Sequence, residues 1–337
     1  MRNSPLWLRL LLWPLSFLYG LLARARAWLY RVGWLKQHRL QAAVISVGNL
    51  TVGGTGKTPM VIWLAERFLA EGKRVAILSR GYRGRNGTSD EIELMRSRLE
   101  NRVLFGVGAN RFDEGRRLES QQPVDVFLLD DGFQHLQLAR DINILLVDAS
   151  RPLRNEFLLP SGRLREPLSA IHRADIVVFT RVNDQFFLKR AIQEFPDFPI
   201  FPVATRLLRY RRLNADQQAI ASQIELPPQP VFVFCGIGNP DAFLTDVDRW
   251  GNHIVGRAIY RDHQAYNAHD LRRLEDSAKS AGARALLTTE KDAQNLRELS
   301  ASTLPLYCCE IEMAIPDAAE FHKTVNRRLE ERAGVAA

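Results

Sequence analysis

The run Gly53-Gly54-Thr55-Gly56-Lys57-Thr58 lies between the apolar stretch Ala42–Val47 and the amphipathic stretch Met60–Glu71, and it leaves this chain few folds to choose from. Strand, glycine loop and helix in that order let backbone N–H groups converge on phosphate oxygens at a helix N-terminus. Lys57 has the reach for β- and γ-phosphate oxygens, and the Thr58 hydroxyl suits Mg²⁺. The full pattern G-x-x-x-x-G-K-[ST] would place glycine where Thr51 stands, so the match is to the GK[ST] core with an altered start. The nucleotide-binding candidates are Thr51, Val52, Gly53, Gly54, Thr55, Gly56, Lys57 and Thr58.

Further apolar runs follow at Val75–Ser79, Val124–Leu129, Ile142–Val147 and Ile176–Thr180, then at Val231–Phe234 and Ala283–Thr289. Continuous runs of this length, separated by helical stretches, predict a mostly parallel α/β sheet of P-loop NTPase type with helices on both faces. The third run ends in Asp130-Asp131, the carboxylate position at a strand end that holds Mg²⁺ in such sites. Adjacent strand residues point to opposite faces, so one of Asp130 and Asp131 faces the metal. Near residue 200 the texture becomes alternating and basic, then Gln- and Pro-rich. The expected organisation is a segment 1–40, a P-loop domain 41–200 and a smaller α/β domain 201–337.

The formal net charge of +8 raises a nucleic-acid reading, which the distribution of charge removes. Seven of the 46 Lys and Arg fall in residues 1–40, which hold no Asp or Glu, so the remainder nearly balances the 38 acidic residues. That same segment holds four of the six tryptophans. Its longest uncharged stretch, Leu10–Ala23, is 14 residues and contains Pro14, short of the ~20 needed to span a bilayer. An interfacial helix or helical hairpin fits, apolar and aromatic on one side with Arg and Lys toward anionic headgroups; a terminal helix packed on the protein's own core is the other reading. Three cysteines, Cys235, Cys308 and Cys309, make no disulfide framework and no C-x-x-C motif, as in a reducing compartment.

Thr289-Glu-Lys-Asp292 has the wrong order for an N-K-x-D guanine reader, which favours ATP. The GG-x-GKT form also resembles division-site and nitrogenase-type ATPases, but Val52 stands where those carry a lysine. The chain as a whole resembles the tetraacyldisaccharide 4′-kinases of lipid A synthesis. The matching stretches are SVGNLTVGGTGKTP (46–59), LSRGY (78–82), DDGFQHLQLARDINILLVD (130–148), LLPSGRLREPLS (158–169), CGIGNPDAF (235–243) and TTEKDA (288–293). The resemblance implies γ-phosphate transfer from ATP, with Mg²⁺, to the 4′-hydroxyl of an acylated disaccharide 1-phosphate. It also implies work at the cytoplasmic face of a bacterial inner membrane, where the amphiphilic start predicts a peripheral or monotopic protein; the oligomeric state is left open by the residues, with a monomer the favoured expectation. A membrane-recruited P-loop switch ATPase acting on a protein partner is the alternative.

By the same resemblance Asp90 is the base that takes the hydroxyl proton, Glu91 assists the metal with Thr58, Asp130 and Asp131, and His263 in YRDHQAY orients or tunes Asp90 from the other domain. Read from the residues alone, Asp90 is a helix N-cap, since Ser89-Asp90-Glu91 precedes a helical stretch. The chain departs from the family here: Ile92 stands where a proline follows the Asp-Glu pair, and the segment before it is short. Arg165, in LREPL, is a candidate for the transferring or acceptor phosphate, with Arg80 and Arg163 behind it, because a guanidinium fork matches phosphate oxygens. His135 reads as a packing or supporting residue, and Gly236 and Gly238 as a tight strand-to-helix turn.

Overall fold

A computed structural model of the chain describes residues 6–81, 89–151, 153, 156–182, 189, 192–193, 195–213, 227–296 and 302–336. Along the chain run α1 (Leu6–Arg31), β1 (Ala43–Asn49), α2 (Lys57–Ala70), β2 (Val75–Ser79), α3 (Asp90–Leu99), β3 (Leu104–Val107), α4 (Arg111–Gln121), β4 (Val126–Asp130), β5 (Ile142–Asp148), β6 (Ile176–Thr180) and β7 (Ile200–Leu213). They are followed by β8 (Val231–Cys235), α5 (Pro240–Arg249), β9 (Ile254–Ile259), α6 (Ala268–Ser280), β10 (Ala285–Thr289), α7 (Glu290–Asn295), β11 (Leu306–Ala314) and α8 (Ala318–Ala336). Residues 82–88, which complete the LSRGY stretch and lead to Ser89, and the Gln-rich residues 214–226 lie outside the described residues.

The chain forms two compact units, residues 1–81, 99–204 and 314–337 in the first and residues 82–98 and 205–313 in the second. In the first, strands run in the order β3-β2-β4-β1-β5-β6, and the start of β7 joins β6. All these pairings are parallel. β2, β4 and β6 are buried at every residue, as Val/Ile/Leu/Phe-rich strands covered on both faces must be. One face packs a cluster including Leu50, Phe133, Leu145 and Val177, and the other packs Val44, Leu78, Phe127 and Leu138. In the second unit the order is β7-β11-β10-β8-β9, with β8, β9, β10 and β11 parallel.

The division at 204/205 lies beside the boundary expected at 200, but two segments depart from the expected organisation. Residues 82–98 belong to the second unit, where Arg98 forks Glu290 at 2.8 and 2.9 Å. Helix α8 returns to the first unit, where the Phe321 ring packs at a tilt on Trp63 of α2, centroids 5.3 Å apart, and His322 bonds Glu71. Residues 6–31 form one continuous 26-residue helix despite Pro14, rather than a hairpin. By length and composition Trp7–Arg31 is long and apolar enough to cross a bilayer, which revises the estimate made from its uncharged stretch alone.

Candidate active site

In a parallel α/β sheet, ligands bind beyond the carboxyl ends of the strands, and in each unit the chemically equipped residues collect there. In the first unit β1 ends in Asn49 and the chain turns through the glycine loop into α2. Gly56 precedes the helix at φ 86°, a left-handed conformation that glycine adopts without strain. Lys57 and Thr58 therefore occupy the first turn, where backbone N–H groups have no partner within the helix. Lys57 Nζ stands 3.4 Å from Asn49 Oδ1 and 3.6 Å from Asp131 Oδ1.

Strand β4 delivers the two carboxylates differently. Asp130 is the last strand residue, is buried, and accepts from Ser79 Oγ at 3.3 Å. Asp131 follows at φ 50°, off the line of the strand, and Arg165 forks its carboxylate at 2.9 and 2.8 Å. Burial penalises the Asp131 anion, but Lys57 and Arg165 outweigh it and hold the carboxyl well below the usual range. Arg165 also donates to the Asn49 carbonyl at 3.1 Å and to the Asn49 side chain.

Arg165 arrives there because its segment lies along the start of the glycine loop. Arg165 N donates to Leu50 O at 2.7 Å and Val52 N donates to Arg163 O at 2.8 Å. From the ends of β5 and β6, Arg181 bridges Asp148 (2.7 Å) and the Gly54 carbonyl (3.0 Å), and Thr180 Oγ1 donates to Thr55 O at 3.1 Å. With these carbonyls bound, the loop is held by its acceptor side. A shallow cleft adjoins it, lined by residues 51–55 with Asp148, Arg151, Leu153 and Arg163. Arg163 pairs with Glu156 at 2.7 Å rather than with an acidic residue of the loop site, and Arg80 is exposed just past β2. Burial, together with Arg111, Arg140, Arg26 and Arg80, pushes His135 down to about 4, which makes it a neutral supporting side chain.

The second unit carries another constellation. Ser89 caps α3, its Oγ accepting from Ile92 N at 3.4 Å, so the capping role expected of Asp90 falls one residue earlier. The buried Asp90 carboxylate instead meets His263 Nδ1 at 2.9 and 3.1 Å. Both residues lie in the second unit, which corrects their expected placement in different domains. His263 sits at φ 61°, held by its N–H to Gly236 O at 3.1 Å. Lys291, in the first turn of α7, completes the group, its Nζ lying 2.8 Å from Glu91, 3.3 Å from Asp262, 3.6 Å from Asp90 and 3.3 Å from His263 Nε2.

Burial works against the Asp90 anion, but the His263 hydrogen bond and Lys291 hold its carboxyl far below the usual range. The Asp90 bond raises the His263 imidazole, against burial and Lys291. Ligand atoms of Asp90, Glu91 and His263 lie within 4.8 Å of one another, close enough to share a cation. An imidazole nitrogen suits Mg²⁺ poorly, however, whereas Thr58, Asp130 and Asp131 offer only oxygen.

Beneath this group the fully buried Asp292 accepts from Gly236 N (2.9 Å), Tyr266 Oη (2.8 Å) and Thr289 Oγ1 (2.6 Å). It ties the Gly236 turn, the His263 loop and the start of α7 together. Sequence reasoning missed Asn49, Arg181, Lys291 and Asp292. Lys291 and Asp292 lie within TTEKDA, a stretch that carries the family resemblance without marking either residue for a role, and Asn49 is a polar residue closing an apolar run.

Residues 8–330 match the family described as "Tetraacyldisaccharide-1-P 4'-kinase". The tetraacyldisaccharide 4'-kinase of Geobacter sulfurreducens is 38% identical over 338 residues, 93% of this chain and 91% of that protein. The one from Desulfotalea psychrophila is 36% identical over 320 residues, 88% and 90% of the two chains. Among solved structures, the "apo" form of LpxK from Aquifex aeolicus in complex with ATP superposes with a TM-score of 0.71 at 30% identity, covering 96% of this chain and 99% of that one.

Proposed function

The chain belongs to the tetraacyldisaccharide-1-P 4'-kinase family, and on that premise we propose that it transfers the γ-phosphate of ATP to the 4′-hydroxyl of tetraacyldisaccharide 1-phosphate in lipid A biosynthesis. It is an ATP-dependent lipid kinase, a phosphotransferase with an alcohol acceptor. One observation carries the reading at the level of the site: Lys57, at the start of α2, shares the Asp131 carboxylate with Arg165. Two cations over one carboxylate beside free helix N–H groups form a place for polyphosphate.

Phosphoryl transfer is mostly positioning and charge neutralisation. Residues 51–58 cradle the nucleotide, Lys57 takes the β- and γ-oxygens, and Arg165 leaves Asp131 for phosphate as charge develops there. Thr58 and the Asp130-Asp131 pair that closes β4 offer the oxygen ligands we assign to Mg²⁺, which when bound would neutralise the nucleotide's phosphates. Asp90 accepts the proton of the acceptor hydroxyl, and His263 orients it and shares the proton.

Helix α1 supports a membrane setting. It is amphiphilic in the sense opposite to a soluble helix: Ser16 and Gly20 are buried while Trp7, Leu10, Leu11, Trp13, Phe17 and Leu22 are each more than half exposed. An apolar outer face of this kind fits acyl chains, with Arg24, Arg26 and Arg31 for anionic headgroups. We assign the protein, as a monomer, to the cytoplasmic face of the inner membrane, where its lipid acceptor is presented.

The test is transfer of ³²P from labelled ATP with Mg²⁺ to tetraacyldisaccharide 1-phosphate in detergent micelles, comparing the wild type with Lys57→Ala. Labelled lipid is expected from the wild type, with the variant slower by ~10²-fold or more. Nucleotide binding without labelled lipid would overturn the reading in favour of a switch ATPase.

A further inference from the structure

The inner side of α1 does more than dock the helix. Ser16 Oγ donates to Leu158 O at 2.9 Å and accepts from Ser161 N at 3.0 Å, and Ser161 Oγ donates to Arg9 O at 3.1 Å. At Gly20 a Cβ would come within 2.5 Å of Leu158 Cδ1, so the helix lies directly on this loop. Tyr19, on the same face, donates its hydroxyl to the Arg165 carbonyl at 2.7 Å. The amide of Arg165 is held at 2.7 Å by Leu50 O, at the start of the glycine loop. Its main chain is thus gripped on one side by the P-loop and on the other by α1, while its guanidinium forks Asp131.

We infer that Tyr19 is a positioning residue for phosphoryl transfer, acting through Arg165. The inference rests on the kinase reading above. Releasing the Arg165 carbonyl frees the peptide plane that follows it. A small rotation at the Arg165 backbone is amplified along the arginine side chain, and a misplacement of about 1 Å at reacting groups can cost ~10²-fold in rate. Ser16 and Gly20 hold the neighbouring part of the loop, at Leu158 and Ser161, and do not touch Arg165. The helix that offers an apolar face to lipid therefore sets, through one tyrosine hydroxyl, the arginine that shares Asp131 with Lys57.

The full-length protein is assayed for ³²P transfer in micelles as wild type, Tyr19→Phe, Ser16→Ala, Arg165→Lys and the Tyr19→Phe/Arg165→Lys double variant, each checked for unaltered thermal unfolding and vesicle binding. Loss of one hydrogen bond of ordinary strength corresponds to about a fivefold effect. Tyr19→Phe is expected to lower kcat by about 5- to 20-fold with the KM for ATP within twofold of wild type. Ser16→Ala is expected to leave kcat within twofold. In the Arg165→Lys background, Tyr19→Phe should change kcat by less than twofold, because the group it positions is already altered. The inference is overturned if Tyr19→Phe is silent, if Ser16→Ala lowers kcat equally, or if the two substitutions multiply independently. A wild type that forms no labelled lipid would instead remove the kinase reading itself.

Discussion

Replacing Lys291 by Met preserves side-chain length and removes a positive charge from among four titratable groups. In the wild type the ammonium stands 3.3 Å from His263 Nε2 and so opposes a second positive charge on the imidazole. At that separation the repulsion is about 1.3 kcal/mol with the dielectric of water, the appropriate limit for a side chain that is 42% exposed. The same ammonium masks Glu91, Asp262 and Asp90, all of which favour the imidazolium once uncovered. Both effects act in one direction, so Lys291→Met raises the His263 midpoint, by about one pH unit for 1.3 kcal/mol. The assay is NMR titration of ¹³C-histidine-labelled protein in micelles with a chelator present, the His263 signal being identified among seven histidines by its loss in His263→Gln. A midpoint that stays put or falls would refute the reasoning, since it would mean the ammonium is not held against the imidazole. If His263 shares the acceptor's proton, the acid limb of kcat/KM moves up with the midpoint.

Asp292→Ala orphans two buried donors, those of Gly236 and Tyr266, and the half-buried hydroxyl of Thr289, and should cost about 3–5 kcal/mol in urea unfolding; a loss below about 1 kcal/mol would show the tether to be dispensable. Asp90→Asn should lower kcat by ~10²- to 10⁴-fold with ATP affinity unchanged, and unchanged turnover would remove Asp90 from the mechanism. The stability gap between wild type and Asp90→Asn also depends on pH, with a definite sign. Asp90, depressed in the fold, contributes above its unfolded pKa of about 3.8 and loses that contribution as pH falls through its folded value. His263, raised in the fold, contributes below about 6.5 and loses its contribution as pH rises through its folded value. The gap should be widest between about pH 4 and 6.5 in thermal unfolding, and a gap flat from pH 4 to 8 would count against the pair.

Much of the P-loop unit could be read from the residues because its signals are local. The apolar runs at Val75–Ser79, Ile142–Val147 and Ile176–Thr180 are strands β2, β5 and β6 within a residue at each end, and the glycine loop lies between strand and helix as its motif requires. Strand β7 was harder, since IFPVATRLLRYRRL looks basic and surface-bound. Its arginines are matched by another strand, Arg206 bonding Glu312 and Arg209 and Arg211 bonding Glu310, about 100 residues away. The cap of α3 was equally ambiguous, because Ser89 and Asp90 are both good N-caps and only the backbone decides which oxygen reaches Ile92 N.

The sequence by itself determined the fold class, the phosphate-binding loop, the carboxylate pair closing β4 and the amphiphilic start, all of which depend on spacing within a few residues. Only the tertiary structure decided that Asp131 is the carboxylate forked by Arg165 and near Lys57, while Asp130 stays buried against Ser79. The tertiary structure also decided that Asp90, His263 and Lys291, drawn from three distant stretches, form one charged group. The reason is physical: parallel strands bring together residues far apart in the chain at their carboxyl ends, and the charge each carboxylate keeps depends on neighbours that no local pattern names.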